Sequence, residues 1–315
     1  MKWSNKAIRA KIESTYGTDS TPAAGTDDVL IMANDVSVDP VQANAIPREV
    51  VRSGGEFGSY TEFLTGKHVA MSFAVEMAGA GGAVADVPAY GPLLRACGLA
   101  QTVNASTSVE YDPSSDSDTH EAVSLYINIG GKLHKMLGSR GNVSFEFSTN
   151  QIPMLRFSFM GLFVAVADES FPGAIDYSGY TTPVVVSDTN TPTLTLHGTA
   201  LNCESLSVDL GNQVEYRELV NSTSIPIVDR KSVGSVVFED VLVATKAWEA
   251  AVVAETLGAL QVVHGTAVGN VCQIDAPKVQ LKNPRPSGNQ NKRMLTFDLV
   301  LTPNAGDDEF TFTTT

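Results

Sequence analysis

Alternation of hydrophobic and polar residues is the dominant pattern along this 315-residue chain. From Val69 to Met77, apolar side chains occupy every second position, which is the period of a strand with one buried face. Similar runs predict further strands at 29–39, 123–129, 142–147, 154–166, 193–196, 203–210, 233–243, 271–275, 279–281 and 294–301. The pattern therefore predicts a mainly β (α+β) protein.

Two segments show helical spacing of apolar residues instead. Residues 88–100 place Leu93 and Leu94 on one face, and residues 247–260 repeat such a face around Trp248. Each predicted helix follows a predicted strand and precedes others. This order indicates antiparallel sheets or sandwiches with one helix on the flank of each.

The chain divides into four parts by composition. Residues 1–28 are polar and predict an extended arm with a short helical turn at 6–13. Strand patterns fill 29–167 and 193–315, which we expect to be two domains. Residues 168–192 are rich in Pro, Gly, Ser, Thr and Asp and predict a linker.

The two predicted domains resemble each other in sequence. Val36–Asp39 is similar to Leu206–Asp209, and Met154–Phe157 is similar to Met294–Phe297, among five matches in the same order. We therefore expect a duplicated domain. Two similar units on one chain can occupy equivalent positions around a ring, so three copies would form a ring with pseudo-six-fold symmetry.

Long segments at 41–66 and 211–231 separate matching strands in the two domains. Segments of this length inside a compact domain are usually functional or disordered. We expect them, together with the 1–28 arm, to contact a neighbouring ring. The candidate contact residues are Tyr16, Arg48, Glu49, Phe57, Tyr60, Phe63, Arg217 and Glu218.

The chain is acidic, with 35 Asp and Glu against 21 Lys and Arg and a formal net charge of −14. This charge argues against non-specific binding to nucleic acid or to anionic membranes. The acidic residues either keep the protein soluble or line a surface past which a polyanion moves. Composition does not decide between these two interpretations. The start carries no secretory signal, and no apolar run reaches the length of a membrane span, so we expect cytoplasmic synthesis.

Motifs for catalysis or cofactor binding are weak. The Gly79–Gly82 stretch between a strand and a helix has Val84 where a dinucleotide fingerprint needs Gly or Ala. The acidic segment 111–121 lacks the Gly and Glu positions of a calcium loop. The three cysteines form no disulfide or zinc pattern. We predict no catalytic residue, no metal and no cofactor.

The N-terminal segment carries a recognisable motif. Ile12–Asp19 reads Ile-Glu-Ser-Thr-Tyr-Gly-Thr-Asp, which resembles the Glu-x-x-Tyr-Gly-Thr opening common in phage tail subunits. Together with the strand and helix order and the duplication, it makes the chain similar to the tail tube proteins of long-tailed, siphovirus-type bacteriophages. The resemblance extends over nearly the whole sequence.

The resemblance implies two tandem tail-tube-like sandwich or half-barrel domains whose strands join into a barrel around a lumen. Family tubes tend to have an acidic lumen, which repels DNA and eases its exit. The lumen candidates are acidic residues that point away from apolar strand faces: Glu76, Glu146, Glu239 and Asp298. The alternative is that they face bulk solvent or pair with basic residues.

By this resemblance the chain is a structural virion protein that polymerises into a conduit for DNA ejection. Its partners would be other copies of itself and the tail terminator, tape measure and distal tail proteins. DNA would pass without specific binding, and no membrane would be involved. Two alternatives stay open: a monomeric β-sandwich that binds carbohydrate or a receptor, and another virion part such as a head decoration or tail terminator protein.

Overall fold

Antiparallel strands form most of the regular structure in the computed structural model, which describes residues 2–32, 34–51, 55 and 57–315. The first half contains β1 (Lys6–Ile12), β2 (Asp28–Val29), β3 (Ser37–Pro47), β4 (Glu62–Glu76), α1 (Gly91–Ala96), β5 (Leu99–Asn104), β6 (Ser108–Pro113), β7 (Val123–Ile129), β8 (Lys132–Ser148), β9 (Met154–Phe163) and β10 (Ala167–Asp168). The second half contains β11 (Thr193–Leu196), β12 (Thr199–Ala200), β13 (Cys203–Asp209), β14 (Asn212–Val214), β15 (Arg217–Leu219), β16 (Ser222–Ser224), β17 (Ile227–Arg230), β18 (Val233–Glu239), α2 (Trp248–Val253), β19 (Leu257–His264), β20 (Cys272–Asn289), β21 (Lys292–Leu301) and β22 (Thr311–Thr314). The mainly β prediction is confirmed.

The two halves have the same order of neighbouring strands. The first unit pairs β3–β4–β9–β8, and β8 continues through β7 to β1. The second unit pairs β13–β18–β21–β20, and β20 continues through β19 to β11. The sequence repeat thus has a matching repeat of strand order.

The units are joined because β8 also pairs with β13, which we call the internal seam. The eight strands β3–β4–β9–β8–β13–β18–β21–β20 form one continuous central sheet. Matching positions are aligned across it: Ser37 pairs with Ser72 in the first unit, and Ser207 pairs with Ser235 in the second. The boundaries 29–167 and 193–315 stay a prediction.

Each unit builds its core around a similar aromatic cluster. The clusters are Phe73, Phe157 and Phe159 in the first unit and Phe238, Trp248 and Phe297 in the second. Phe73 and Phe157 have ring centroids 5.7 Å apart, and Phe238 and Phe297 have theirs 5.9 Å apart. Burying each such side chain stabilises the fold by about 1.5–3 kcal/mol, and the buried residues of both units belong to one hydrophobic cluster.

Both helices are shorter than predicted. Gly98, at φ +75°, ends the first helix, and the chain then enters β5 within the predicted span 88–100. Glu255, at φ +52°, follows the second helix, and β19 begins inside the predicted span 247–260 because it pairs with β20. Neither helix of the described residues is long and apolar enough to cross a membrane.

The N-terminal segment is not the predicted helical turn at 6–13. Its residues form β1, which pairs along its whole length with β7. Four successive residues, Ala7 to Ala10, are buried, so both faces of this strand are covered and no alternation marks it. Pairing with the edge of β7 therefore makes the segment a strand of the first unit.

The long segments 41–66 and 211–231 contain hairpins. In the first unit β3 and β4 continue as a paired ribbon to Pro47 and Glu62. In the second unit β14 pairs with β17 and β15 with β16. Matching hairpins therefore extend from matching places in the two units.

Candidate assembly surfaces and lumen face

The central sheet has one face packed on the core and one polar face. Alternation along β8 buries Val143, Phe145 and Phe147 and leaves the residues between them on the opposite side. A directly paired row on that side runs across the internal seam through Glu146, Ser207, Ser235 and Asp298. We call this side the polar face.

All four predicted lumen residues lie on strands of the central sheet, and three of them have basic partners. Glu146 Oε2 is 2.6 Å from Arg156 Nε, Glu239 Oε1 is 2.7 Å from Lys292 Nζ, and Asp298 pairs with Arg285. Glu76 lies opposite Met154 and has no ion-pair partner within the described part of the chain. The polar face therefore carries compensated charges rather than acid alone.

The ion pairs also shift the titration of the carboxylates. The hydrogen bond from Lys292 lowers the pKa of Glu239, and that from Arg285 lowers the pKa of Asp298. Both acids thus remain charged together with their partners at neutral pH. Whether these positions line a lumen stays a prediction.

Most of the predicted contact residues of the first unit lie on its exposed hairpin. Arg48 and Glu49 follow β3, and the backbone N–H of Arg48 donates to Thr61 O at 2.8 Å. Phe57 is fully exposed and Phe63 is 56% exposed. An apolar surface of this kind at the end of a ribbon is typical of an interaction site.

The matching hairpin of the second unit is exposed at its end and held at its base. Arg217 and Glu218 belong to β15, all of which is exposed. Tyr216 stacks on His68 of β4 with ring centroids 5.2 Å apart, so the bases of the two hairpins touch within one chain.

Tyr16 is engaged inside the chain. Its hydroxyl oxygen accepts a 2.6 Å hydrogen bond from the backbone N–H of Ile225, and its ring lies 5.1 Å from the Arg140 guanidinium. Burial raises the pKa of Tyr16. The tyrosine of the N-terminal motif thus fastens the hairpin segment of the second unit to the first.

Glu13 of the same motif anchors the N-terminal segment to the sheet. Its carboxylate accepts hydrogen bonds from the Ser124 hydroxyl at 2.8 Å and from the backbone N–H groups of Gly138 and Gly17, each at 2.7 Å. Glu13 and Tyr16 are three residues apart, so one segment accepts hydrogen bonds both from the sheet of the first unit and from Ile225 of the second. The sequence resemblance located this motif but did not show its structural role.

Sequence reasoning missed the two open edges of the central sheet. Among the residues that the structure describes, β3 pairs only with β4, and the Leu281–Asn289 part of β20 pairs only with β21. Pro40 in β3 and Pro286 in β20 were available signals, because proline inside a strand pattern is confined mainly to edge strands. An edge offers unpaired backbone groups to another chain.

The described residues contain no group of three or more His, Cys, Asp or Glu side chains placed to hold a metal ion. The Gly79–Gly82 stretch is a turn against the second unit, where Gly81 N–H donates to Gly269 O at 2.7 Å. Burial raises the pKa of the Cys203 and Cys272 thiols to about 12, so they remain protonated. The glycine stretch is thus a packing turn, and these two cysteines are thiols packed in or against the core.

Comparison with known proteins identifies a family. The sequence matches the phage tail tube protein family over residues 3–300, nearly the whole chain. Comparison with curated proteins finds no significant match. Because the family match extends across both units and the internal seam, the chain belongs to the phage tail tube protein family.

Proposed function

We propose that three copies of this chain form a ring and that stacked rings form the tube through which viral DNA leaves the particle. The observation that carries the proposal is the repeated unit: two sheets of identical strand order, already joined edge to edge, with an open edge at each end. A head-to-tail contact of this kind closes into a ring when the rotation closes. The role is structural, without catalysis.

The registers support closure into a barrel. Ser207 occupies the same position in the second unit as Ser37 does in the first. The row of directly paired residues that starts at Ser37 crosses β4 and β9 and reaches β8 at Asn142. Ser207 pairs with Glu146 of β8, which is four residues further along that strand. Four residues of offset for every four strands make the shear number equal to the strand number. The (β/α)8 barrel meets the same condition with strands tilted by about 36°.

Three copies would supply twenty-four central strands, eight from each chain. At a spacing of about 4.8 Å and the same tilt, the barrel backbone would be roughly 45 Å across. Side chains narrow this opening, yet it still admits a DNA duplex. The number of strands in the barrel therefore links the ring symmetry to the tube diameter, and electron microscopy can measure that diameter.

We propose that the polar face lines this lumen, with Glu76, Glu146, Glu239 and Asp298 among its residues. Arg156, Lys292 and Arg285 are the cations beside three of these acids, and each is bound to a carboxylate. Cations occupied in this way offer little attraction to phosphate, so DNA can slide. The paired charges add lubrication without requiring a purely acidic wall.

We propose that the exposed hairpins contact the next ring, through Arg48, Glu49, Phe57, Tyr60, Phe63, Arg217 and Glu218. Tyr16 would act indirectly, because it holds the second hairpin segment through Ile225. The ends of the tube would contact the tail terminator and distal tail proteins, and the lumen would hold the tape measure protein before ejection. Synthesis in the host cytoplasm and assembly into the virion tail complete the proposal.

Electron microscopy of the purified protein over a range of concentrations tests this function. Hollow tubes or stacked rings with three- or six-fold end views, and a β-barrel wall near the expected diameter, are the expected result. Compact particles that stay monomeric at every concentration, also when mixed with preformed tube ends from the same phage, would contradict it.

A further inference from the structure

The internal seam is an example, within one chain, of how one unit joins the next. Ser207 of β13 pairs with Glu146 of β8, and Asp209 pairs with Ser144. Beyond this ladder, the backbone N–H of Leu210 donates to Val143 O at 3.1 Å. The seam thus has a defined register and a continuous set of backbone hydrogen bonds.

The open edges are made of strands that match those of the seam. β3 matches β13, because Ser37 and Ser207 each pair with a serine of the following strand. β20 matches β8, because Glu146 pairs with Met154 and Ser287 pairs with Met294 at the same place in each unit. The strands of the two free edges therefore match the two strands of the internal seam.

We propose that β3 of one copy pairs with β20 of the next copy in the register of the internal seam, and that prolines keep this pairing weak. The proposal rests on the ring proposed above and names its contact. Transferring the register places Ser37 opposite Ser287 and Asp39 opposite Arg285. The second pair joins opposite charges across the seam, whereas like charges at directly opposed positions destabilise a sheet.

Hydrogen bonds within the sheet determine which way β20 faces. The backbone N–H of Asp240 donates to Arg293 O at 2.9 Å, so Arg293 points toward β18 and its neighbour Met294 points toward β20. The partner of Met294 is Ser287, whose backbone groups therefore point back at β21. By alternation, Pro286 faces the open edge, where it presents a carbonyl but no N–H.

The edge of β3 has the same property. The backbone N–H of Met32 donates to Ala74 O at 3.0 Å, so Ala74 and, by alternation, Ser72 point toward β3. Ser72 pairs with Ser37 and Ala70 pairs with Asp39, so Pro40, the next residue, faces the open edge at the point where the register with β4 shifts between Asp39 and Gln42. Pro40 takes the place of Leu210, whose N–H forms the last hydrogen bond of the internal seam.

Proline at an exposed edge is a known means of limiting strand addition. Here Pro40 in β3 and Pro286 in β20 each lie at a position that faces the incoming strand. The outer seam therefore keeps the register of the internal seam with fewer backbone hydrogen bonds. A free subunit stays soluble, and pairing becomes favourable when stacking on an existing ring adds further contacts.

Cysteine crosslinking in assembled tubes tests the register. S37C/S287C should give covalent dimers and trimers under mild oxidation, because directly opposed residues have Cβ atoms about 5 Å apart. S37C/N289C is the matched control, since its cysteines are two residues out of register and should crosslink much more slowly. Wild-type protein controls for its own cysteines.

The outcomes separate this inference from the proposed function. Tubes that form without S37C/S287C crosslinks, or in which both pairs react equally, would overturn the seam and leave the tube intact. Failure of the wild-type protein to form rings or tubes at all would remove both.

Replacing a proline tests the second part of the proposal. P286A restores one N–H donor toward the partner strand and should lower the protein concentration needed for assembly by about fivefold, the effect of one net hydrogen bond. P303A, at an exposed proline outside both edges, should leave that concentration unchanged. An unchanged or higher concentration for P286A would contradict a proline-weakened seam.

Discussion

At the scale of single residues, Gly138 connects the N-terminal motif to the sheet. Its φ is +56°, and a Cβ added there would lie 2.8 Å from Cζ of Tyr16. G138A should therefore destabilise the fold in two ways: alanine is strained in a left-handed backbone conformation, and its Cβ displaces the tyrosine that binds Ile225. We expect it to lower the free energy of unfolding by about 3 kcal/mol in urea titrations, most of it from the clash.

Gly198 offers the matched control for this effect. Its φ is +74°, and an added Cβ would meet no atom within 4 Å. G198A should cost about 1 kcal/mol, the backbone contribution alone. Equal losses for the two variants would show that the contact between Gly138 and Tyr16 does not matter for stability.

His264 gives the fold a dependence on pH. The ring lies between Thr191 Oγ1, 2.9 Å from Nδ1, and Val184 O, 3.0 Å from Nε2. Burial lowers the pKa of His264 below its ordinary value of 6.5. Between the lowered folded pKa and the ordinary unfolded pKa, the unfolded chain binds more protons, so stability falls as the pH drops through this window.

H264Q should therefore lose less stability than the wild type between about pH 7.5 and pH 5.5 in urea titrations. Burial also lowers the pKa of His197, so H197Q should show a similar reduction. The same pH dependence in the wild type and both variants would contradict this assignment.

At the scale of elements, Arg230 links the second hairpin to the C-terminal segment. Its Nε is 2.5 Å from Glu309 Oε1, and its terminal nitrogens bind Asp307 Oδ1 at 3.0 Å and Ser114 O at 2.9 Å. The side chains of Arg230 and Glu309 are only 12% and 9% exposed. R230M strands a buried carboxylate and should lower the free energy of unfolding by about 3–5 kcal/mol.

Two further variants identify the cause. R230M/E309Q removes the stranded charge and should recover part of the loss. K231M removes the neighbouring cation, which is 79% exposed in its pair with Asp229, and should leave the free energy of unfolding nearly unchanged. A loss for K231M as large as that for R230M would point to a general charge effect instead.

Elements with one buried and one exposed face could be predicted from the sequence. The run Val69–Met77 lies largely within β4, since its alternation reflects a core on one side only. β1 escaped prediction because Ala7 to Ala10 are covered on both faces. The hairpins at 41–66 and 211–231 escaped it for the opposite reason, because exposure on both faces leaves no alternation.

The candidate surfaces were predictable to a similar extent. The sequence identified acidic residues on the polar side of strands, but the cations beside them, Arg156, Lys292 and Arg285, come from neighbouring strands whose register only the fold fixes. The internal seam joins residues far apart in the chain and has no local signal. Long-range pairing therefore decides both the charge of the polar face and the open edges.

At the scale of the whole molecule, the charges of the polar face must satisfy two requirements, which are limited repulsion between subunits and weak binding of DNA. Acids without partners would repel one another across a closed barrel, and free cations would hold DNA. The pairs at Glu146, Glu239 and Asp298 meet both requirements, since each acid occupies a cation. The triple variant E146Q/E239Q/D298N should keep the fold, free Lys292 and Arg285, and leave Arg156 with Asp35 at 3.6 Å as its remaining acidic partner.

Tubes of this triple variant should retain a short DNA duplex in a co-sedimentation assay at low salt, whereas wild-type tubes should not. Retention should fall steeply as salt rises, by about 0.9 in the logarithmic slope for each phosphate contact. The variant E121Q/E169Q/D229N removes the same number of charges from carboxylates paired with Arg95, Arg9 and Lys231, outside the polar face. Because it changes the net charge equally, retention by both variants would mean that overall charge controls DNA binding, and retention by neither would mean that the polar face does not meet DNA. Retention by the first variant alone would be explained by a lumen in which carboxylates keep cations away from the passing phosphates.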